Sequence, residues 1–168
     1  MAQMDFLFDH HIINGIVPKA DAFATSGTTD WINLANYGRI TFVIHTGNAT
    51  GGTANGTVTV NASSVAAGSS STALAFKYRA CASSTSVDTW GALTDATSSG
   101  FSMTAGDNYI YTVELLADDV EAAAAGKKFV SLTVTESSND QSPWSTTWPL
   151  GKGERGSWPS DRITRSSR

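Results

Sequence analysis

Arg39-Ile-Thr-Phe-Val-Ile-His45 is the stretch on which the reading of this chain turns. Successive side chains of an extended strand point to opposite faces. Ile40, Phe42 and Ile44 therefore share one face, and Thr41, Val43 and His45 share the other. A face of large apolar groups backed by a mixed face predicts a strand buried on one side. The pattern recurs along the chain. In Gly56–Asn61, Val58 and Val60 point inward, and in Ala73–Arg79, Leu74, Phe76 and Tyr78 do so. Tyr109–Leu116 is long and rich in β-branched and aromatic residues, and Lys128–Thr135 sets Val130, Leu132 and Val134 on one face. Trp31–Leu34 and Phe101–Met103 read as shorter pieces. Loops of Gly, Asn, Ser, Thr and Ala separate these runs. Short strands between turn-rich loops predict an all-β chain folded as an antiparallel β-sandwich.

One short helix interrupts the strands. Asp118 stands where an N-cap would stand, and Glu121 follows three residues later, the spacing of a capping box. Ala122–Ala125 propagate the helix, and Gly126 ends it ahead of Lys127 and Lys128.

Composition sets further bounds. A chain of 168 residues is one domain with room for an appendage. Charged residues make up 15%, against about 25% in typical globular chains. Cys81 is the only cysteine, so no internal disulfide is expected. Residues 1–9 lack the basic start and apolar stretch of a secretory signal, which points to synthesis in a cytoplasm. No run approaches the roughly 20 apolar residues of a membrane helix.

Candidate chemical sites each have a simpler account. Asp118, Asp119 and Glu121 could form a metal or acid/base site, but the capping box explains two of the three, Asp118 and Glu121, without a ligand. Adjacent His10 and His11, after Asp9, point to opposite sides of an extended segment, and no third ligand completes a zinc set. His45 is a sheet residue. Gly47, Gly51 and Gly52 lack the Gly-Lys-Ser/Thr and following helix of a phosphate loop, and Gly151-Lys-Gly153 fails the same test. The Asn-x-Ser/Thr triplets at Asn48, Asn55 and Asn61 would matter only in a secreted eukaryotic chain. No sequence feature marks Cys81 as an activated thiol. The expectation is a non-enzymatic protein, with no catalytic residue, cofactor or metal.

The organisation expected is an N-terminal arm over 1–28, the β-sandwich over 29–136 and an extended C-terminal arm over 137–168. That last segment holds Trp144, Trp148 and Trp158, and three of the four prolines. Each of these tryptophans adjoins a proline, which favours extended backbone. Large aromatics are not left in water without reason, so these indoles are expected to lie on the body or on another subunit. With Arg155, Arg162 and Arg165 they form the candidate protein interface, since Trp and Arg are common interface anchors. Residues 152–168 carry five basic side chains against Glu154 and Asp161. This density is too sparse for the clustered phosphate contacts of nucleic-acid binding. Removal of 137–168 is expected to leave the β domain folded and to weaken attachment or oligomerisation.

The runs Trp31–Gly47, Phe76–Arg79, Asp88-Thr-Trp90 and Lys128–Thr135 resemble the small β-sandwich virion proteins of tailed bacteriophages, of the head decoration or cement type. The resemblance spans residues 1–136, and the segment beyond Ser137 departs from it. It implies a capsid decoration protein that stabilises the shell by binding the major capsid protein and copies of itself, as a trimer or another small oligomer. It also implies a place on the capsid surface of the virion, after assembly in the bacterial cytoplasm, with no membrane partner. The alternatives are a tail-tube or head–tail junction subunit, and a carbohydrate-binding module presenting Trp31, Trp90 or Tyr109 in a row.

Overall fold

The computed structural model describes residues 10–17, 26–46, 56–83, 85, 88–104 and 108–136, and the backbone of 145–152. Within these the strands are β1 (His10–Ile12), β2 (Ser26–Thr28), β3 (Ile32–Asn33), β4 (Arg39–Thr46), β5 (Thr57–Ser63) and β6 (Thr72–Leu74). They continue with β7 (Phe76–Ala80), β8 (Thr94–Ala96), β9 (Phe101–Ser102), β10 (Ile110–Leu116), β11 (Phe129–Thr135) and β12 (Ser145–Lys152). One helix, α1 (Ala117–Ala123), joins β10 towards β11, and a 3-10 turn (Leu34–Asn36) precedes β4.

The strands form an antiparallel sandwich. The first sheet has the order β1-β12-β4-β10-β7-β8, and the second β2-β11-β5-β6, with β3 also on β11 and β9 also on β5. The alternation read from the sequence decides what lies between the sheets. Ile40, Phe42 and Ile44 of β4 and Tyr111, Val113 and Leu115 of β10 join one buried cluster with Val58 and Val60 of β5 and Val130, Leu132 and Val134 of β11. Burying a side chain of this size stabilises the fold by about 1.5–3 kcal/mol.

Ala73–Arg79 reads as one strand but serves both sheets. Leu74 pairs with Val60 in the second sheet, whereas Tyr78 pairs with Val113 in the first. The chain crosses between sheets at Ala75, an exposed residue between buried Leu74 and Phe76. Strands that change sheets in this way form the corners of a sandwich. Beyond the crossing, Phe101 stacks on Tyr78 with ring centroids 3.8 Å apart. Gly100 precedes it at φ +81°, where an added Cβ would lie 1.9 Å from the carbonyl oxygen of Val58.

The segments expected as arms also contribute strands. In β12, Ser145–Lys152 pairs with the whole of β4, and β1 pairs with the end of β12. The reason lies in the hydrogen bonding of β4. The Thr46 N–H donates to the Tyr109 carbonyl at 2.9 Å, and the Ala117 N–H to the Gly38 carbonyl at 3.0 Å. Even-numbered residues here thus direct their peptide groups towards β10, and odd-numbered ones away from it. The outward groups of Arg39, Thr41, Val43 and His45 require partners of their own, and β12 supplies them. Pro149 fits this register. Its partner is Phe42, which turns its peptide groups to β10, so the pair needs no N–H from proline. The position instead lacks a donor on the β1 side, and β1 stops pairing at Leu150, one residue short of it. β2, within the expected N-terminal arm, pairs with β11.

The capping box is overturned. The residue before α1 is Leu116, and no side chain caps the first turn. Asp118 and Asp119 lie inside that turn, and Asp118 comes two residues after the N-cap position, too late to act as the cap. The Glu121 carboxylate instead accepts from the Gly126 N–H at 2.9 Å and closes the other end of the helix. The helix also stops earlier than expected: it ends at Ala123 with Ala124 as its C-cap, so Ala124 and Ala125 do not propagate it, and Gly126 takes φ +76° in the turn that follows.

Candidate interaction surface

The residues singled out in the C-terminal segment are only partly placed. Trp148 lies on β12 as the register partner of Val43. Trp144, Trp158, Arg155, Arg162 and Arg165 lie outside the described residues. The strand pairing places the end of β12. His10, the first residue of β1, is opposite Lys152, the last of β12. β1 thus begins and β12 ends at one corner of the first sheet. Lys152 is in turn opposite Arg39, and Arg39 is opposite Leu116. The C-terminal segment therefore begins two strand spacings, about 10 Å, from the β10–α1 junction.

Next to that junction the outer face of the first sheet holds an open groove of about 600 Å³. It runs over β4, β10, β7 and β8. Alternation on these strands brings Lys77, Arg79, Asp95 and Glu114 into it, and α1 adds Asp119. Leu93 and Leu116 give it apolar surface at 52% and 41% exposure. Arg39 Nη1 donates to Glu114 Oε2 at 3.2 Å, and Lys77 is paired with Asp95. Both pairs are well exposed to solvent, so each is worth about 0–1 kcal/mol and is readily exchanged for another partner. The Arg39 Nε is buried and has no acceptor among the described residues.

The sequence did not reveal this groove. Lys77 and Arg79 were legible as outward residues of one strand. Their neighbours Asp95 and Glu114 arrive from β8 and β10, far along the chain, and β8 carries no apolar alternation that would announce it.

The other candidates have structural placements. His11 Nδ1 is 2.8 Å from the Tyr37 hydroxyl and joins β1 to the turn before β4. The Cys81 thiol is buried and accepts from the Ile110 N–H at 3.1 Å. His45 is an exposed residue of β4, and Asn61 lies on β5. Gly151 lies on β12, whereas Asp9, Asn48, Asn55, Gly47, Gly51, Gly52 and Gly153 lie outside the described residues. Trp31 packs its indole over Gly68, where an added Cβ would come within 2.2 Å of the ring nitrogen. Trp90 bridges Cys81 beyond β7, and Tyr109 stacks beside Tyr111. Trp90 and Tyr109 adjoin neighbouring strands of the first sheet, through Cys81 and Ile110, whereas Trp31 adjoins β3 of the second. The Tyr111 hydroxyl accepts from the Thr104 N–H at 2.8 Å. Burial raises its pKa above the ordinary value of 10.0, and the Thr104 hydrogen bond opposes that rise.

Among the described residues no group of three or more His, Cys, Asp or Glu is placed to hold a metal. Likewise no described helix is long and apolar enough to cross a membrane. No protein-family model, curated protein or solved structure significantly matches the chain.

Proposed function

We propose that this chain is a bacteriophage virion structural protein, a capsid decoration protein that binds the major capsid protein and neighbouring copies of itself. The observation that carries the reading is the common corner at which β1 begins and β12 ends, His10 against Lys152. Two segments leaving one point of a sandwich can grip adjoining subunits together. Linked contacts gain avidity without new chemistry at either one. The C-terminal segment suits this role in composition. Its Trp158 and its Arg155, Arg162 and Arg165 are the residue types that anchor interfaces. Ordering such a segment costs about 1–2 kcal/mol per residue, which large aromatic contacts are best able to offset. The resemblance of residues 1–136 to phage decoration proteins points the same way.

The test is reconstitution. Capsids of the virus that encodes the chain, purified without it, are mixed with the purified protein and imaged by electron cryomicroscopy. The expected result is saturable uptake, with density on the outer shell at a fixed number of copies per capsid protein. Failure to bind the shell, together with rings or tubes formed by the protein alone, would replace this reading with a tail-tube or head–tail junction subunit.

A further inference from the structure

We infer that the groove on the outer face of the first sheet is the docking site of the chain's own segment 153–168, which covers it while the protein is free. This goes beyond the virion reading and does not depend on what the external partner is.

Three observations lead to this occupant. The first is position. The segment begins after Lys152, in the register row that runs through Arg39 to Leu116 on the lip of the groove. Crossing from β12 to β8 passes four strand spacings, about 20 Å. Sixteen extended residues reach roughly 50 Å, so the span is easily covered. Gly153 and Gly156 follow the end of β12, at the point where this docking requires a turn across the sheet. Glycine accepts both signs of φ and suits such a turn.

The second is charge. Residues 152–168 carry a net +3 and the rest of the chain −7. Asp95, Glu114 and Asp119 line the groove with Lys77 and Arg79, and Arg39 at the lip holds Glu114. Arg155 and Arg162 can take over carboxylates that are held only in weak, exposed pairs. The third is unmet need. Leu93 and Leu116 offer apolar surface to an indole, and the buried Arg39 Nε has no described acceptor at the point where the segment starts. Trp158 is the only tryptophan beyond β12.

A short connection holds such a segment at an effective concentration of about 1 mM near the groove. A contact with an intrinsic dissociation constant near 0.1 mM would then be about 90% formed within the chain. The same contact would be surrendered to a partner that bound the segment more tightly.

The experiment uses a chain ending at Lys152, which retains every described strand, and a fluorescein-labelled peptide of residues 153–168. Fluorescence anisotropy should show saturable binding to the 1–152 protein. Binding to the full-length chain should be about tenfold weaker, because its groove is already filled. Asp95→Lys with Asp119→Lys, both exposed positions, should weaken binding to 1–152 by about tenfold. Binding should also weaken between 50 and 500 mM salt. No binding to 1–152 overturns the inference. Equal binding to both chains shows the groove open in the free protein and overturns it too, leaving the segment for a second copy or another partner. Binding that ignores both charge reversals removes the groove as the site.

Discussion

Cutting the chain after Glu136 and cutting it after Lys152 should have different consequences inside β4. The first cut removes β12, and the second leaves it whole. The hydrogen-bond register of the sheet makes the difference specific to single residues. The N–H groups of Ile40, Phe42, Ile44 and Thr46 face β10, and those of Arg39, Thr41, Val43 and His45 face β12. An amide in an interior strand exchanges only through openings that approach global unfolding, about 5 kcal/mol or more. That corresponds to protection of roughly a thousandfold or greater. An amide facing water at a sheet edge has little protection, on the order of tenfold or less. Residue-resolved hydrogen exchange by NMR should find all eight amides protected in the chain ending at Lys152. In the chain ending at Glu136 the four odd-numbered amides should lose about a hundredfold or more, while the four even-numbered ones stay slow. The shorter chain should also self-associate edge to edge, the reverse of the weaker oligomerisation expected from the sequence, since it presents β4 as a new unpaired edge. Equal protection of both sets after the shorter cut would refute the placement of β12 and return 145–152 to the role of an arm outside the sheet.

Gly100→Ala should destabilise by about 3 kcal/mol or more in denaturant titration. The substitution meets a left-handed backbone cost of about 1–2 kcal/mol and a clash with the Val58 carbonyl that can be relieved only by separating β9 from β5. Phe42→Ala, at a side chain with 0% exposure, should cost about 3–5 kcal/mol in the same assay. Tyr111→Phe should lower stability by about 0.5–1.5 kcal/mol at neutral pH, because the hydrogen bond from the Thr104 N–H to the phenol is lost. The pH dependence has a definite sign. Tyr111 titrates above its unfolded value of 10.0 when folded, so its contribution is complete below pH 10 and is lost as pH rises through the folded pKa. Wild type should therefore lose stability above pH 10 more steeply than Tyr111→Phe, and absorbance at 295 nm should show one of the four tyrosines ionising late. Parallel stability curves above pH 10 would count against a buried phenol.

Much of the sandwich was legible because its interior strands obey a local rule. Ile40, Phe42 and Ile44, or Val130, Leu132 and Val134, alternate with other residues over a span in which burial is decided residue by residue. Such a signal needs no knowledge of the partner strand. It fails where the partner decides. Ser145–Lys152 contains Pro149 and Gly151 and shows no apolar alternation, so it reads as an arm. It becomes a strand because β4 has an edge to satisfy and because Pro149 falls opposite a residue that makes no demand on it. His10–Ile12 is then a strand because β12 is one. The helix cap failed for a related reason. The offset from Asp118 to Glu121 matches a capping box, but β10 runs directly into α1 and sets its start one residue before Asp118.

Residue types and their alternation by themselves determined an all-β chain, its inward faces, a left-handed turn at Gly126 and the distinct chemistry of the C-terminal segment. These follow from the pleat of a strand and the conformational freedom of glycine, both of which act over a few neighbouring residues. Only the tertiary structure decided that Ala75 is a corner between sheets, that β12 lies between β1 and β4, and that Lys77, Asp95, Glu114 and Asp119 line one groove beside the point where the chain departs. Those arrangements depend on hydrogen bonds and packing between residues tens of positions apart, and no local pattern encodes which edge a strand will find.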